Sequence, residues 1–286
     1  MKIGFIGAGR VGFTLGKYFK EHGADVSGYH SRDPNSAREA AGFTNTEYFA
    51  TLEQVVMASD VLFITVPDTM IGSVWSSLKT LSIANKLICH CSGVLSSGVF
   101  DQIDQKQAYG YSVHPFFAIA SKRTSYQEIS QAFFTLEGNG KYLHTLKQFI
   151  EHLGNPVHII TERQKIKYHA AAVFLSNHLA ALATTGSKLL AECGFGEEFI
   201  AGALKTLFLY QCMDIANNGP EKALTGPLER NDQVTVQKHM ECLEKNERQL
   251  YGLLSKQLIE IAKKKHPDSD YTKMDALITK EMGISE

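Results

Sequence analysis

One hexapeptide constrains this chain more than any other feature. Gly7-Ala8-Gly9-Arg10-Val11-Gly12 fits the pattern G-x-G-x-x-G. The pattern alone is weak, but here it follows the apolar run Ile3-Gly4-Phe5-Ile6 and opens an amphipathic segment. Strand, glycine loop and helix in that order predict a dinucleotide-binding turn. The first glycine permits the tight turn, the second lets the backbone approach a pyrophosphate, and the third lets helix and strand pack closely. The helix N-terminus then offers free N–H groups and a partial positive charge to the phosphates. Gly7, Gly9, Arg10, Val11 and Gly12 are therefore expected cofactor contacts.

The rest of the first half repeats the same unit. Short β-rich runs at 3–6, 25–30, 61–66 and 86–91 are each followed by turn residues and a segment of helical character. That alternation predicts a parallel sheet with helices on both faces. Residues 108–113, 132–136 and 157–160 read as further strands. Beyond 161 the character changes. Helical patterns cover 162–193, 197–216, a stretch from an Asp232 cap towards 263, and 271–282, and no strand candidate follows 160. The expected organisation is a nucleotide-binding domain over 1–161 and an all-helical substrate or dimerisation domain over 162–286. At roughly 150 residues per domain, 286 residues suit two domains.

Composition excludes several classes. Lys and Arg number 29 against 30 Asp and Glu, a net charge of -1, so no broad basic surface for nucleic acid is expected. The apolar runs read as far short of the ~20 residues that a membrane helix needs, so no membrane partner is expected. The N-terminus opens directly as a strand without the pattern of a signal peptide. Five cysteines, an odd number, do not read as a disulfide framework and point to the reducing cytoplasm.

The end of the second strand decides the cofactor. An NAD enzyme usually places Asp or Glu there for the ribose hydroxyl. This chain has Tyr29-His30-Ser31-Arg32, and its first carboxylate is Asp33. A hydroxyl beside a planar, always charged guanidinium suits a 2′-phosphate, so Ser31 and Arg32 predict NADP(H).

Carboxyl ends of strands face the ligand crevice in an open α/β sheet. Val66-Pro67 ends one strand beside the cofactor, and Asp68 reads as a helix cap. In Cys89-His90-Cys91 alternation puts the cysteines on one face and the histidine on the other, and no second cluster completes a metal set, so buried thiols are expected and no metal. Ser92-Gly93 and His114 lie at the next two strand ends and are candidates for cofactor or substrate contact. On the long helix, His169, Val173 and Asn177 are spaced by four and share a face. A proton donor and an amide two turns apart could line a cleft. Lys165 and Lys167 read as surface residues. Arg230, in Thr225-Gly226-Pro227-Leu228-Glu229-Arg230-Asn231-Asp232, could clamp a carboxylate bidentately, and Lys263-Lys264-Lys265 suits a solvated helix end.

Taken together, GAGRVG at 7–12, VPD at 66–68, SG at 92–93, HPF at 114–116, YHAAAVFLSNHL at 168–179 and TGPLERND at 225–232 resemble a known group. Its members join a Rossmann-like domain to a helical domain labelled DUF2520, and it is related to the 6-phosphogluconate, β-hydroxyacid and pyrroline-5-carboxylate reductases. The resemblance extends over nearly the whole chain and includes the alternative, PanG-type ketopantoate reductases. It implies an NADPH-dependent cytoplasmic enzyme, a homodimer, with its site between the two domains. The implied reaction is reduction of a small 2-oxo acid, 2-dehydropantoate first. Related reductases carry a Lys on this helix with Asn following. With Asn177 as that Asn, the Lys position falls on His169, with Lys165 or Lys167 as the alternative. The implied roles are proton donation by His169, orientation by Asn177, and substrate binding by Ser92, Gly93, His114 and Arg230. Two rival readings are an imine reductase of the pyrroline-5-carboxylate type and a non-catalytic NADPH sensor.

Overall fold

A computed structural model describes residues 1–283. The chain divides into two compact units, Met1–Asn177 and His178–Glu286. The helix that follows the last strand thus groups with the sheet, whereas the change of composition at 161 suggested a boundary before it.

The first unit is built on eight strands: β1 (Ile3–Ile6), β2 (Val26–His30), β3 (Glu47–Tyr48), β4 (Val61–Ile64), β5 (Leu87–His90), β6 (Tyr109–Phe116), β7 (Phe133–Gly138) and β8 (Val157–Ile159). Their order is β3-β2-β1-β4-β5-β6-β7-β8. The strands from β3 across to β6 run parallel. β7 departs from the all-parallel expectation and pairs antiparallel with β6. The cause is the connection: 117–132 holds only two short 3-10 turns, and without a crossover helix the chain returns antiparallel. The two-residue β3 carried no sequence signal of its own.

Side-chain alternation divides each central strand between two cores. Val61 and Phe63 pack into one cluster with Ile3, Phe5 and Cys89. Leu62 and Ile64 pack into the other with Ile6 and Ile88. Helices α1 (Arg10–Glu21), α2 (Pro34–Thr44) and later α5 (Gly140–His152) cover the first face, and α3 (Leu52–Met57) and α4 (Asp68–Leu78) the second. Helix α1 follows its amphipathic pattern, with Phe13, Leu15, Tyr18 and Phe19 buried. Phe63 sits between Phe5 and Phe19, with ring centroids 5.6 and 5.5 Å away. Each such fully buried side chain contributes about 1.5–3 kcal/mol.

The expected long helix over 162–193 is two helices, α6 (Glu162–Leu175) and α7 (Asn177–Glu192). Ser176 breaks them apart at φ -133 and ψ -72. Its hydroxyl donates to the carbonyl of Ala172 at 2.7 Å, a back-bond of the kind that bends helices.

In the second unit a core of Leu224, Val236, Met240, Ile259, Met274 and Ile278 joins α11 (Gln233–Cys242), α12 (Lys245–Lys265) and α13 (Thr272–Glu281). Asp232 caps α11 as expected, accepting the N–H of Thr235 at 3.1 Å. The pattern running on to 263 breaks at Leu243, because Glu244 and Glu247 form a fresh capping box for α12. Between α7 and α11 lie α8 (Glu197–Ala203), a π-turn (Leu204–Phe208), α9 (Leu209–Asn218) and the short α10 (Pro220–Ala223). Helices α7, α8 and α9 bury no residue within this chain.

One expectation is corrected here. The helical run Glu197–Asn218 spans 22 residues with a mean hydropathy of 1.2, long and apolar enough by length and composition to cross a membrane. Lys205 and Asp214 interrupt its apolar residues. Lys205, near the middle of the run, opposes spanning, since a charge near the centre of a bilayer costs about 2.5–3.5 kcal/mol.

Candidate active site

Two cavities open in the first unit. The first, about 440 Å³, lies where the strand order reverses around β1, and Gly7, Gly9, Ser31, Arg32, Val66 and Pro67 are among its walls. This is the switch-point crevice in which such sheets bind ligands. Gly7 holds φ +108, which favours glycine, and a Cβ there would press on the Thr65 carbonyl at 2.8 Å. Gly12 packs against Thr65 and the carbonyl of Gly7 with no room for a side chain. Gly9 differs, for a Cβ on it would meet nothing within 4 Å. The backbone at Gly9 is thus bare towards open space, as a pyrophosphate cradle requires. Arg10 and Val11 open α1 but do not line this cavity.

The charge pattern fits NADP(H). Arg32 is exposed at the rim. Asp33, the nearest carboxylate, is already committed: it caps α2, accepting from Asn35 N at 3.1 Å and from the Ser36 hydroxyl at 2.6 Å. Those hydrogen bonds hold its carboxyl below the usual range.

The second cavity, about 430 Å³, is lined by His114, His169 and Asn177, with an apolar wall that includes Phe116, Phe117 and Val173. His169 lies in the middle of α6 and Asn177 at the start of α7, on the two sides of the helix break, yet both line this space. The Nδ1 of His169 is buried without a hydrogen-bond partner. Gly93 lies beneath both imidazoles, and a Cβ on it would strike His169 Nδ1 and His114 Nε2. The glycine is therefore what lets the two rings converge.

A polar chain runs behind this cavity along the strand ends. Ser92 donates to Asp68 Oδ2 at 2.7 Å and accepts from the N–H groups of Val94 and Leu95 at 3.2 and 3.0 Å. Its hydroxyl is fully engaged in holding the loop. Asp68 is not the expected cap; it stands inside the first turn of α4, whose N-cap makes no side-chain bond, and it serves Ser92 instead. His90 is buried and accepts from Ser92 N–H at 3.2 Å, and burial pushes its pKa down to about 4. Burial pushes the Cys91 thiol up to about 12 and raises Cys89 as well, which disfavours the reactive thiolate of both.

Lys165 overturns its surface expectation. It is 1% exposed, and its Nζ donates to the carbonyl of Ser92 at 2.9 Å and to the hydroxyl of Ser112. Burial lowers its pKa to about 8, against the opposing pull of Glu137, Cys91 and Asp68. The signal that could have found it was present: Lys165, His169, Val173 and Asn177 form a single row at spacing four. Lys167 is exposed as expected. Tyr168, also missed, bonds His114 Nδ1 at 2.8 Å. Arg230 belongs to the second unit, where it lines a shallow recess with Glu229, His266 and Tyr271.

Comparison with known proteins gives this geometry a context. Residues 2–92 match the family described as "NADP oxidoreductase coenzyme F420-dependent", and residues 132–258 match DUF2520, a domain of unknown function. No curated protein matches the sequence. Among solved structures, protein TM1727 of Thermotoga maritima is 27% identical, with a TM-score of 0.70 over 92% of this chain and 98% of that one. An NADP oxidoreductase candidate of Bacteroides fragilis, BF3122, is 24% identical, with a TM-score of 0.69 over 91% and 98%. A pyrroline-5-carboxylate reductase from Coxiella burnetii is 14% identical, with a TM-score of 0.60 over 99% and 98%, a likeness of fold. The chain thus carries an NADP-oxidoreductase domain of Rossmann type together with a DUF2520 domain.

Proposed function

We propose that this NADP-dependent oxidoreductase reduces the oxo group of a small 2-oxo acid, with 2-dehydropantoate the first candidate. The observation that carries the reading is the makeup of the second cavity. Two imidazoles and an amide face an apolar wall, Lys165 is buried behind the strand ends, and no carboxylate is among the lining residues. A short branched acid suits such a space. A cationic iminium would find no counter-charge there, which disfavours the imine-reductase reading.

NADPH, held at Gly7, Gly9, Ser31, Arg32, Val66 and Pro67, supplies two electrons and one hydrogen. The carbonyl carbon takes that hydrogen, and the carbonyl oxygen takes a proton. His169 is the proposed proton donor, since its ring lines the cavity and its buried Nδ1 has no other partner. Asn177 orients the acid through its amide. Ser92 and Gly93 act through the backbone that shapes the floor. Growth complementation of a bacterial strain lacking ketopantoate reductase tests the substrate: growth without pantoate is expected, and failure of a well-expressed chain to restore it overturns the choice.

We also propose a homodimer. Support comes from the exposed apolar side chains of the second unit, Leu207 at 77%, Tyr210 at 68% and Phe199 at 52%. Light scattering of the wild type against Leu207→Glu tests it, with the variant expected at half the mass. Five free cysteines agree with the reducing cytoplasm proposed as its location.

A further inference from the structure

We infer that His114 acts as a neutral hydrogen-bond donor to the substrate oxygen, locked in one tautomer by Tyr168. The inference rests on the proposed reduction only for what the acceptor is. His114 stands at the carboxyl end of β6, opposite Thr135 of β7. Tyr168 of α6 meets it edge-on, with centroids 5.6 Å apart and an interplanar angle of 88°, and packs on Phe116 at 5.2 Å. The phenol oxygen lies 2.8 Å from His114 Nδ1.

Chemistry sets the direction of that bond. A phenol O–H is a better donor than an imidazole N–H, and an unprotonated imidazole nitrogen is a better acceptor than a phenol oxygen. Tyr168 therefore donates and Nδ1 accepts, so the ring proton sits on Nε2. That nitrogen is the one over Gly93, on the side of the unpartnered His169 Nδ1. The Nε2–H is thus left without an intramolecular acceptor among the described residues, at the cavity that His114 lines, free to meet a substrate oxygen there.

The surroundings keep the ring uncharged. The titratable groups facing it are Tyr168, Lys165, His169 and His90, with no carboxylate among them. Burial first, then the charges of Lys165, His169 and His90, pull its pKa down to about 3. A ring that stays neutral cannot deliver a second proton, but it can stabilise a developing oxyanion without reorganising. This divides the labour, with His169 giving the proton and His114 holding the oxygen.

The test is two-armed and uses the full chain. In the first, 15N-histidine NMR follows His114, assigned by loss of its signals in His114→Gln, from pH 5 to 8 without substrate. Wild type is expected to keep a protonated Nε2 and a bare Nδ1 throughout, and Tyr168→Phe to populate the other tautomer. A His114 doubly protonated near pH 6, or one protonated on Nδ1, overturns the inference. In the second arm, kcat is read on whichever oxo acid or imine NADPH oxidation selects as best substrate. His114→Ala is expected to lose roughly 10²–10³-fold, the usual cost of an oxyanion donor. His114→Gln, which keeps an N–H, is expected to recover part of it. Tyr168→Phe is expected to lose roughly tenfold, as outer partners that orient an imidazole do. Equal kcat for His114→Gln and His114→Ala overturns the donor role. Selection of an imine as best substrate overturns the proposed substrate and the oxygen-holding role with it, whereas the first arm, which needs no substrate, decides the tautomer by itself.

Discussion

Lys165 Nζ donates to the carbonyl oxygen of Ser92 at 2.9 Å, joining residues 73 apart in sequence. This contact ties α6 to the end of β5 and, through Ser112, to β6. It also places a cation where burial opposes its charge. A folded-state pKa of about 8 against the ordinary 10.5 fixes the sign of the linkage. Below pH 8 the lysine is charged in both states, and folding bears the full cost of burying it. Between about 8 and 10.5 the folded protein sheds the proton first, so that cost fades as pH rises. Chemical denaturation at pH 7.5 and 10 should therefore show a smaller alkaline loss of stability in wild type than in Lys165→Met. Identical pH dependence in the two proteins would place the lysine in water.

Arg32 stands exposed at the crevice beside the committed carboxylate of Asp33. Arg32→Ala should weaken NADPH by about 1.5 kcal/mol or more, roughly tenfold, and leave NADH nearly unchanged. Fluorescence titration of both cofactors decides it; equal wild-type affinities would sink the NADPH assignment.

Gly9 and Gly12 separate phosphate binding from folding. Gly9→Val meets open space, so the chain should fold and lose NADPH binding. Gly12→Val collides with the Gly7 carbonyl and Thr65, so thermal unfolding should fall sharply. Normal NADPH titration in folded Gly9→Val would show that the pyrophosphate lies elsewhere.

If His169 donates the proton, His169→Ala should lower kcat by about 10²–10⁴ with NADPH affinity near normal. Asn177→Ala should damage kcat and KM together, because orientation and binding go with the same amide. Near-full kcat in His169→Ala with a loss in Lys165→Ala would move the proton to the lysine.

What could be read in the sequence follows a physical rule. The glycine loop, the β-rich runs and the Asp232 cap are local signals, and local stereochemistry decides them. The burial of Lys165 is not legible locally because its partners, the Ser92 carbonyl and the Ser112 hydroxyl, are supplied by distant strands. The same holds for Asp68, whose carboxylate is taken by the distant Ser92 hydroxyl and not by a cap. The break at Ser176 hides because serine carries no strong helix-stopping signal; only its back-bond to Ala172 reveals it. Tyr168 became a site residue once the β6–α6 contact brought His114 to its hydroxyl.

The central claim is reduction of a small 2-oxo acid with NADPH, and the most direct measurement is kcat/KM from NADPH oxidation. 2-Dehydropantoate is set against 1-pyrroline-5-carboxylate and other cyclic imines on the same protein. A cavity with two imidazoles, an amide and no lining carboxylate predicts that the oxo acid wins by at least about 10²-fold. An imine turned over as fast or faster, or no oxidation with any 2-oxo acid, would contradict it.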